Sequence, residues 1–123
     1  MVVDGDGCEA NQGPHGPCVQ STKYGESKYE DNKSCTITHP PYGSIFVISF
    51  EVEAPWKGNC WADYLTVNGA RYCGTDSPMG VVPNGSPIEW HADGSGAEAG
   101  WKICFGNPSS PPPSPSPSPK DPF

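Results

Sequence analysis

Basic residues are scarce in this chain: 7 Lys and Arg stand against 14 Asp and Glu, a formal net charge of −7. Nucleic acid is a poor partner for such a surface, because phosphate binding requires clustered Lys and Arg. Long apolar runs are missing too, so nothing in the sequence is built to span a membrane. No window of ten or more residues carries apolar side chains at helical spacing, and Gly and Pro interrupt almost every candidate. The six cysteines form no CxxC pair, which removes the usual zinc and thiol-redox signatures. No serine lies in a GxSxG elbow, and His15, His39 and His91 are scattered, so no catalytic set is legible. Asp4-Gly5-Asp6-Gly7 starts like an EF-hand loop, but Cys8 occupies its fifth position and His15 the place of the bidentate Glu. We expect no enzyme in this chain.

What is present is Gly and Pro, 31 residues of 123, a composition that favours short strands and many turns. The cysteines, spaced by 10, 17, 25, 13 and 31 residues, read as disulfides and hence as an oxidising, extracellular setting. Two N-glycosylation sequons, at Asn32 and Asn84, agree with secretion. "MVVDGDG" lacks the basic and apolar regions of a signal peptide, so Met1 is expected to begin a mature fragment. An acidic surface of this kind invites cations or basic protein partners.

Half of the prolines fall in the last 16 residues, "PSSPPPSPSPSPKDPF". Residues 107–123 are therefore read as a Ser/Pro-rich tail or linker that favours the extended polyproline II helix, at about 3.1 Å per residue. Residues 1–7 are read as a flexible leader and 8–106 as one β-sandwich domain. Within it, segments around Val19 and in "SCTIT", "SIFVISFEVE", "DYLTV", "PIEWHAD" and "GWKICF" have strand character, and Asn84-Gly85 is a hairpin signal. The two-residue period puts Phe46, Ile48, Phe50 and Val52 on one face as core, with Ser49, Glu51 and Glu53 opposite. Leu65 with Val67, Ile88 with Trp90 and Ala92, and Trp101 with Ile103 and Phe105 complete the inward sets of an antiparallel sandwich.

These strands and cysteines resemble a CUB domain, the extracellular jelly-roll module of complement proteases, tolloid-like proteases and spermadhesins. "Cys60-Trp61-Ala62-Asp63-Tyr64-Leu65" is similar to the family's Cys-x-x-Asp segment and "Tyr72-Cys73-Gly74" to its Tyr-Cys-Gly. "Trp90-His91-Ala92-Asp93-Gly94-Ser95" resembles its aromatic-x-Ser-Asp-x-Ser segment, and Gly100-Trp101 stands where Gly-Phe opens the last strand. "Ser21-Thr22-Lys23-Tyr24", with Tyr29 six residues before Cys35, resembles the earlier Ser-Pro-x-Tyr and later Tyr. Ile37 replaces the family's usual Trp, and Cys18 and Cys104 are additional to the usual four cysteines.

The resemblance implies disulfides Cys8–Cys35 and Cys60–Cys73, leaving Cys18 to Cys104; pairing of Cys18 with Cys35 is the competing possibility. It also implies a Ca²⁺ site made by Glu53, Asp63 and Asp93, with Ser95 adding an oxygen and Tyr29 orienting the carboxylates. Calcium suits such a set because it takes six to eight oxygens in irregular geometry. The function implied is a secreted, non-catalytic protein-binding or adhesion module that receives a Lys or Arg of an extracellular partner at its acidic site. Two other readings stand beside it. The alternating Ser-Pro tail resembles the hydroxyproline-rich glycoproteins of plant and green-algal cell walls, which suggests a structural wall or surface-fibre unit. Trp56 and Trp61, if they form an exposed stacking platform, suggest a carbohydrate-binding module, although partial burial is the expectation for both.

Overall fold

The computed structural model describes residues 1–13 and 16–106, and among them nine strands and no helix. The strands are β1 (Val2–Asp4), β2 (Cys8–Gly13), β3 (Gly16–Ser21), β4 (Ser34–Thr38), β5 (Ile45–Glu51), β6 (Tyr64–Val67), β7 (Ala70–Tyr72), β8 (Ile88–His91) and β9 (Gly100–Phe105). They form two antiparallel sheets, ordered β1-β4-β8-β6-β7 and β2-β3-β9-β5. The inner faces of both sheets contribute to one apolar core. This is a disulfide-stapled β-sandwich.

The sets Leu65/Val67, Ile88/Trp90/Ala92 and Trp101/Ile103/Phe105 are buried as their alternation predicts. The set on β5 is not. Val47 pairs with Ile103 and Ser49 with Lys102, so Ile48 is an extra residue, a β-bulge. A bulge shifts the two-residue phase and sends the chain to the opposite face on its far side. Ile45 is therefore buried and Val47 packs on the core before the bulge, and Phe50 and Val52 are buried after it. Ile48 is 51% exposed and Phe46 only half-buried, which corrects their assignment to the core.

The hairpin signal is also displaced. The two-residue turn lies at Asn68-Gly69, between Val67 and Ala70, with φ of 52° and 81° at its two central residues. Both angles are those of a type I′ turn, which Asn-Gly tolerates and a branched residue would not. Asn84-Gly85 is no hairpin but a bend that supports the true one, Asn84 N–H donating to Asn68 Oδ1 at 2.9 Å. Residues 1–7, expected as a flexible leader, supply β1, which pairs with β4 through Val3 and Ile37. Strands β1, β2 and β7 escape a sequence reading because they are short or polar edge elements with little apolar alternation. The proline-rich segment 107–123 and His15 lie outside the described residues.

All three disulfides are present: Cys8–Cys35, Cys18–Cys104 and Cys60–Cys73. The first links β2 of one sheet to β4 of the other. The second ties the adjacent strands β3 and β9, where the two cysteines are directly opposed. The third clips the segment before β6 to the end of β7. Three disulfides, and no helix among the described residues long and apolar enough to cross a membrane, are compatible with an extracellular protein.

Candidate metal centre

The strands that bring the carboxylates together all end at one pole. β5 runs toward it and continues through Val52 to Glu53, β6 starts there just after Asp63, and β8 reaches it just before Asp93. The backbone past β5 is still held in place: Val52 N–H donates to Gly74 O at 3.0 Å, and Gly74 N–H to Glu53 O at 3.1 Å. Ten positions separate Glu53 from Asp63, and the surplus chain projects as its own turn, with Trp56 and Asn59 exchanging both backbone hydrogen bonds at 3.0 Å. The Cys60–Cys73 bridge anchors the returning limb. Loop length is thus absorbed outward, and Glu53 stays at the pole.

One carboxylate oxygen each of Glu53, Asp63 and Asp93 lie within 4.8 Å of one another. Asp63, at 1% exposure, is the fixed centre. Tyr29 Oη donates to Asp63 Oδ2 at 2.6 Å, and Asp93 N–H donates to Asp63 Oδ1 at 2.7 Å. The same Tyr29 hydroxyl accepts Glu53 N–H at 3.2 Å. Tyr29 is locked by its ring, which packs edge-on against Trp90 at 5.0 Å, and Trp90 in turn against Trp101 of the other sheet at 5.6 Å. The core therefore sets the carboxylates through one phenol. Ser95 enters through its backbone, donating N–H to Asp93 Oδ1 at 3.1 Å.

Gly96 completes the wall. Its φ is 81°, and a Cβ there would overlap the Glu53 carboxylate, so no side chain fits between that loop and the acid. Two further groups at this site were not expected there from the sequence, in which Asn32 figures only as a sequon. Asn32 N–H donates to Asp93 O at 2.8 Å and holds its loop. The Glu98 charge reaches Glu53; its signal in the sequence is only a fourth acid five residues past Asp93. The Asn32 sequon side chain is exposed beside this loop, and that of Asn84 is exposed at the opposite pole.

The electrostatics are those of a carboxylate cluster that a cation would relieve. At 4.8 Å or less, each pair of carboxylates would cost about 3 to 4 kcal/mol at an effective dielectric near 20. Burial, followed by the charges of Asp63, Asp93 and Glu98, raises the Glu53 carboxyl above its ordinary range. Burial also raises that of Asp63, against the opposing pull of its Tyr29 and Asp93 hydrogen bonds. Burial, with the bond to Asp63, pushes the Tyr29 phenol upward, so it remains a donor. Glu53 Oε1 is buried and has no hydrogen-bond partner. A buried acceptor left unpaired carries its full desolvation cost. A hard cation with oxygen preference would satisfy it, and the all-oxygen donor set suits calcium or magnesium over softer metals.

The raised carboxyls give a pH dependence with a definite sign. Glu53 and Asp63 bind their protons more tightly in the folded chain than in the unfolded one, so metal-free stability from this cluster is highest in acid. It declines as pH rises from about 4, the unfolded range, through the elevated folded values. Thermal scans of chelated protein should show this decline. Glu53→Gln, which removes one charge, should flatten it, and an equal slope in both proteins would contradict the account.

At the edge of the same pole, Trp56 and Trp61 are 64% and 65% exposed, not partly buried as expected. Trp56 opens the turn that closes on Asn59, and Trp61 follows the bridged Cys60. Lys57 Nζ lies 4.6 Å above the Trp56 ring. Trp61 lines a groove of about 370 Å³ together with Asn59, Arg71 and Asp76. Comparisons of the chain with protein-family models, curated proteins and solved structures found no match, so the chemistry of this pole is read from its geometry.

Proposed function

We propose that this chain is a secreted, non-catalytic binding module of CUB type whose Glu53, Asp63 and Asp93 hold a calcium ion. The observation that carries the reading is the convergence of three carboxylates from separate segments around a buried, unpartnered Glu53 Oε1. Asp63 has both oxygens committed to Tyr29 and Asp93 and acts as the inner anchor. Glu53 and Asp93, both half-buried, are the acids whose outer oxygens meet solvent and a partner. Calcium orders these two, and a Lys or Arg from an extracellular protein completes the contact with a charge-assisted bond. Calorimetry of the chelated protein should record one calcium event, strongly weakened in Asp93→Ala; absence of heat in the parent protein would remove the proposal.

Such a contact depends on the metal and on ionic strength, because a charge pair at a rim is screened within about 8 to 10 Å at ordinary salt. Retention on a surface displaying lysine-bearing peptides is therefore expected with calcium, lost on chelation, and reduced at high salt. Retention indifferent to chelation would show that the carboxylates do not make the contact.

The exposed tryptophans favour a second reading, carbohydrate binding, since flat aromatic faces beside Asn59, Arg71 and Asp76 offer stacking and hydrogen bonds to sugar hydroxyls. A glycan array scored for loss in Trp61→Ala tests it. The wall-glycoprotein reading rests on the Ser-Pro segment, and hydroxyproline or O-linked sugar on residues 111–119 would support it.

A further inference from the structure

A second groove, of about 520 Å³, lies at the pole opposite the carboxylates. The β4–β5 connection gives it His39, Pro40, Pro41 and Tyr42, and the bend before β8 adds Pro83 and Asn84. Tyr42 is 100% exposed, although the three prolines around it are half-buried. A bare aromatic ring and three prolines lining one groove, together with an imidazole and an amide, match the surfaces that receive polyproline II chains. That helix has no internal hydrogen bonds, so all its carbonyls are free to accept, and being preformed it loses little entropy on docking.

The chain carries its own ligand of this kind. Residues 111–119 read "PPPSPSPSP", and they follow the end of the sandwich by only four residues after Gly106. Gly106 is beside the groove: its N–H donates to Ser44 O at 3.1 Å, and a Cβ on Gly43 would stand 3.3 Å from Gly106 Cα. Gly43 and Ser44 directly follow Tyr42, so Gly106 lies against the loop that walls the groove. At about 3.1 Å per residue, positions 107–111 cover roughly 15 Å, enough to enter a groove that begins next to the exit.

We infer that the proline-rich segment docks in cis, laying prolines of 111–117 on the Tyr42 ring with His39 and Asn84 at the rim as donors to its carbonyls. This assignment is independent of the calcium reading.

The test is nuclear magnetic resonance of the full chain, labelled at Tyr and Pro. Proton contacts between the Tyr42 ring and prolines 111–117 are expected at every protein concentration, with Ser114 and Ser116 amides more rigid than in a free peptide of residues 107–123. Tyr42→Ala should erase the contacts and return those amides to free-peptide values, while Tyr42→Phe should retain both. Because Tyr42 is wholly exposed, neither change threatens the fold, which the disulfide-bonded core signals will report. Serine amides already at free-peptide values in the parent chain would overturn the inference. Contacts that grow with protein concentration would assign the groove to the tail of a second copy, and contacts from Tyr42 to sugar protons alone would assign it to a glycan on Asn84; either result overturns docking in cis.

Discussion

Calcium at a hundred times its dissociation constant is expected to raise the thermal midpoint of the chelated protein by about 10 to 20 °C, and Asp93→Ala to abolish the rise. A ligand bound only by the folded state at that ratio contributes about 2.7 kcal/mol, and a domain of this size gains roughly 4 to 8 °C per kcal/mol. The effect should be large because the metal-free site is itself costly. Three carboxylates share a space within 4.8 Å, one of their oxygens is buried without a partner, and burial already holds Glu53 and Asp63 toward their neutral forms. A bound cation would remove repulsion and satisfy the orphaned acceptor together. Asp93→Ala takes away one charge and so relieves part of the repulsion; its metal-free form should be no less stable than the parent, even as its calcium response is lost. Scanning calorimetry with calcium and with chelator reads both quantities, and a calcium response preserved in Asp93→Ala would place the ion elsewhere.

Replacement of both Cys18 and Cys104 by Ala should remove about 4 to 5 kcal/mol of unfolding free energy, measured as a fall in the urea midpoint. The bridge spans 86 positions, and in the chain-entropy picture a closed loop of that length restricts the unfolded chain the most of the three. Domains of this size hold only about 5 to 15 kcal/mol in all, so the variant should sit near the edge of folding at 37 °C. The Cys60–Cys73 bridge spans only 13 positions, worth about 3 kcal/mol on the same footing. Its removal should instead be felt most in calcium affinity, because it holds the limb that carries Asp63. Equal losses of stability from the two replacements, with calcium affinity untouched in both, would contradict this division.

β4 and β9 were legible to the residue because apolar and polar positions alternate in "SCTIT" and "GWKICF" and turns bound them. The acids Glu53, Asp63 and Asp93 were legible only as members of a motif, since nothing in their spacing places them at one pole. Ile48 could not be placed, because a bulge is decided by how β5 meets β9 and not by β5 itself. Partial burial is the expectation for Trp56 and Trp61 from their residue type, yet the connection between Val52 and Asp63 leaves both exposed.

Composition, cysteine number and strand alternation are properties of the chain read in order, and they suffice for an all-β, disulfide-stapled module with an acidic surface. Which carboxylate is buried and which reach solvent, which glycine cannot carry a side chain, and which loop lies beside Gly106 depend on contacts between residues far apart in sequence. Tyr29 shows the reason most clearly. It reaches Asp63, 34 positions away, only because the strands on either side are registered by the packing of Trp90 against Trp101. The pairing of sheets sets those distances, and no local pattern encodes them.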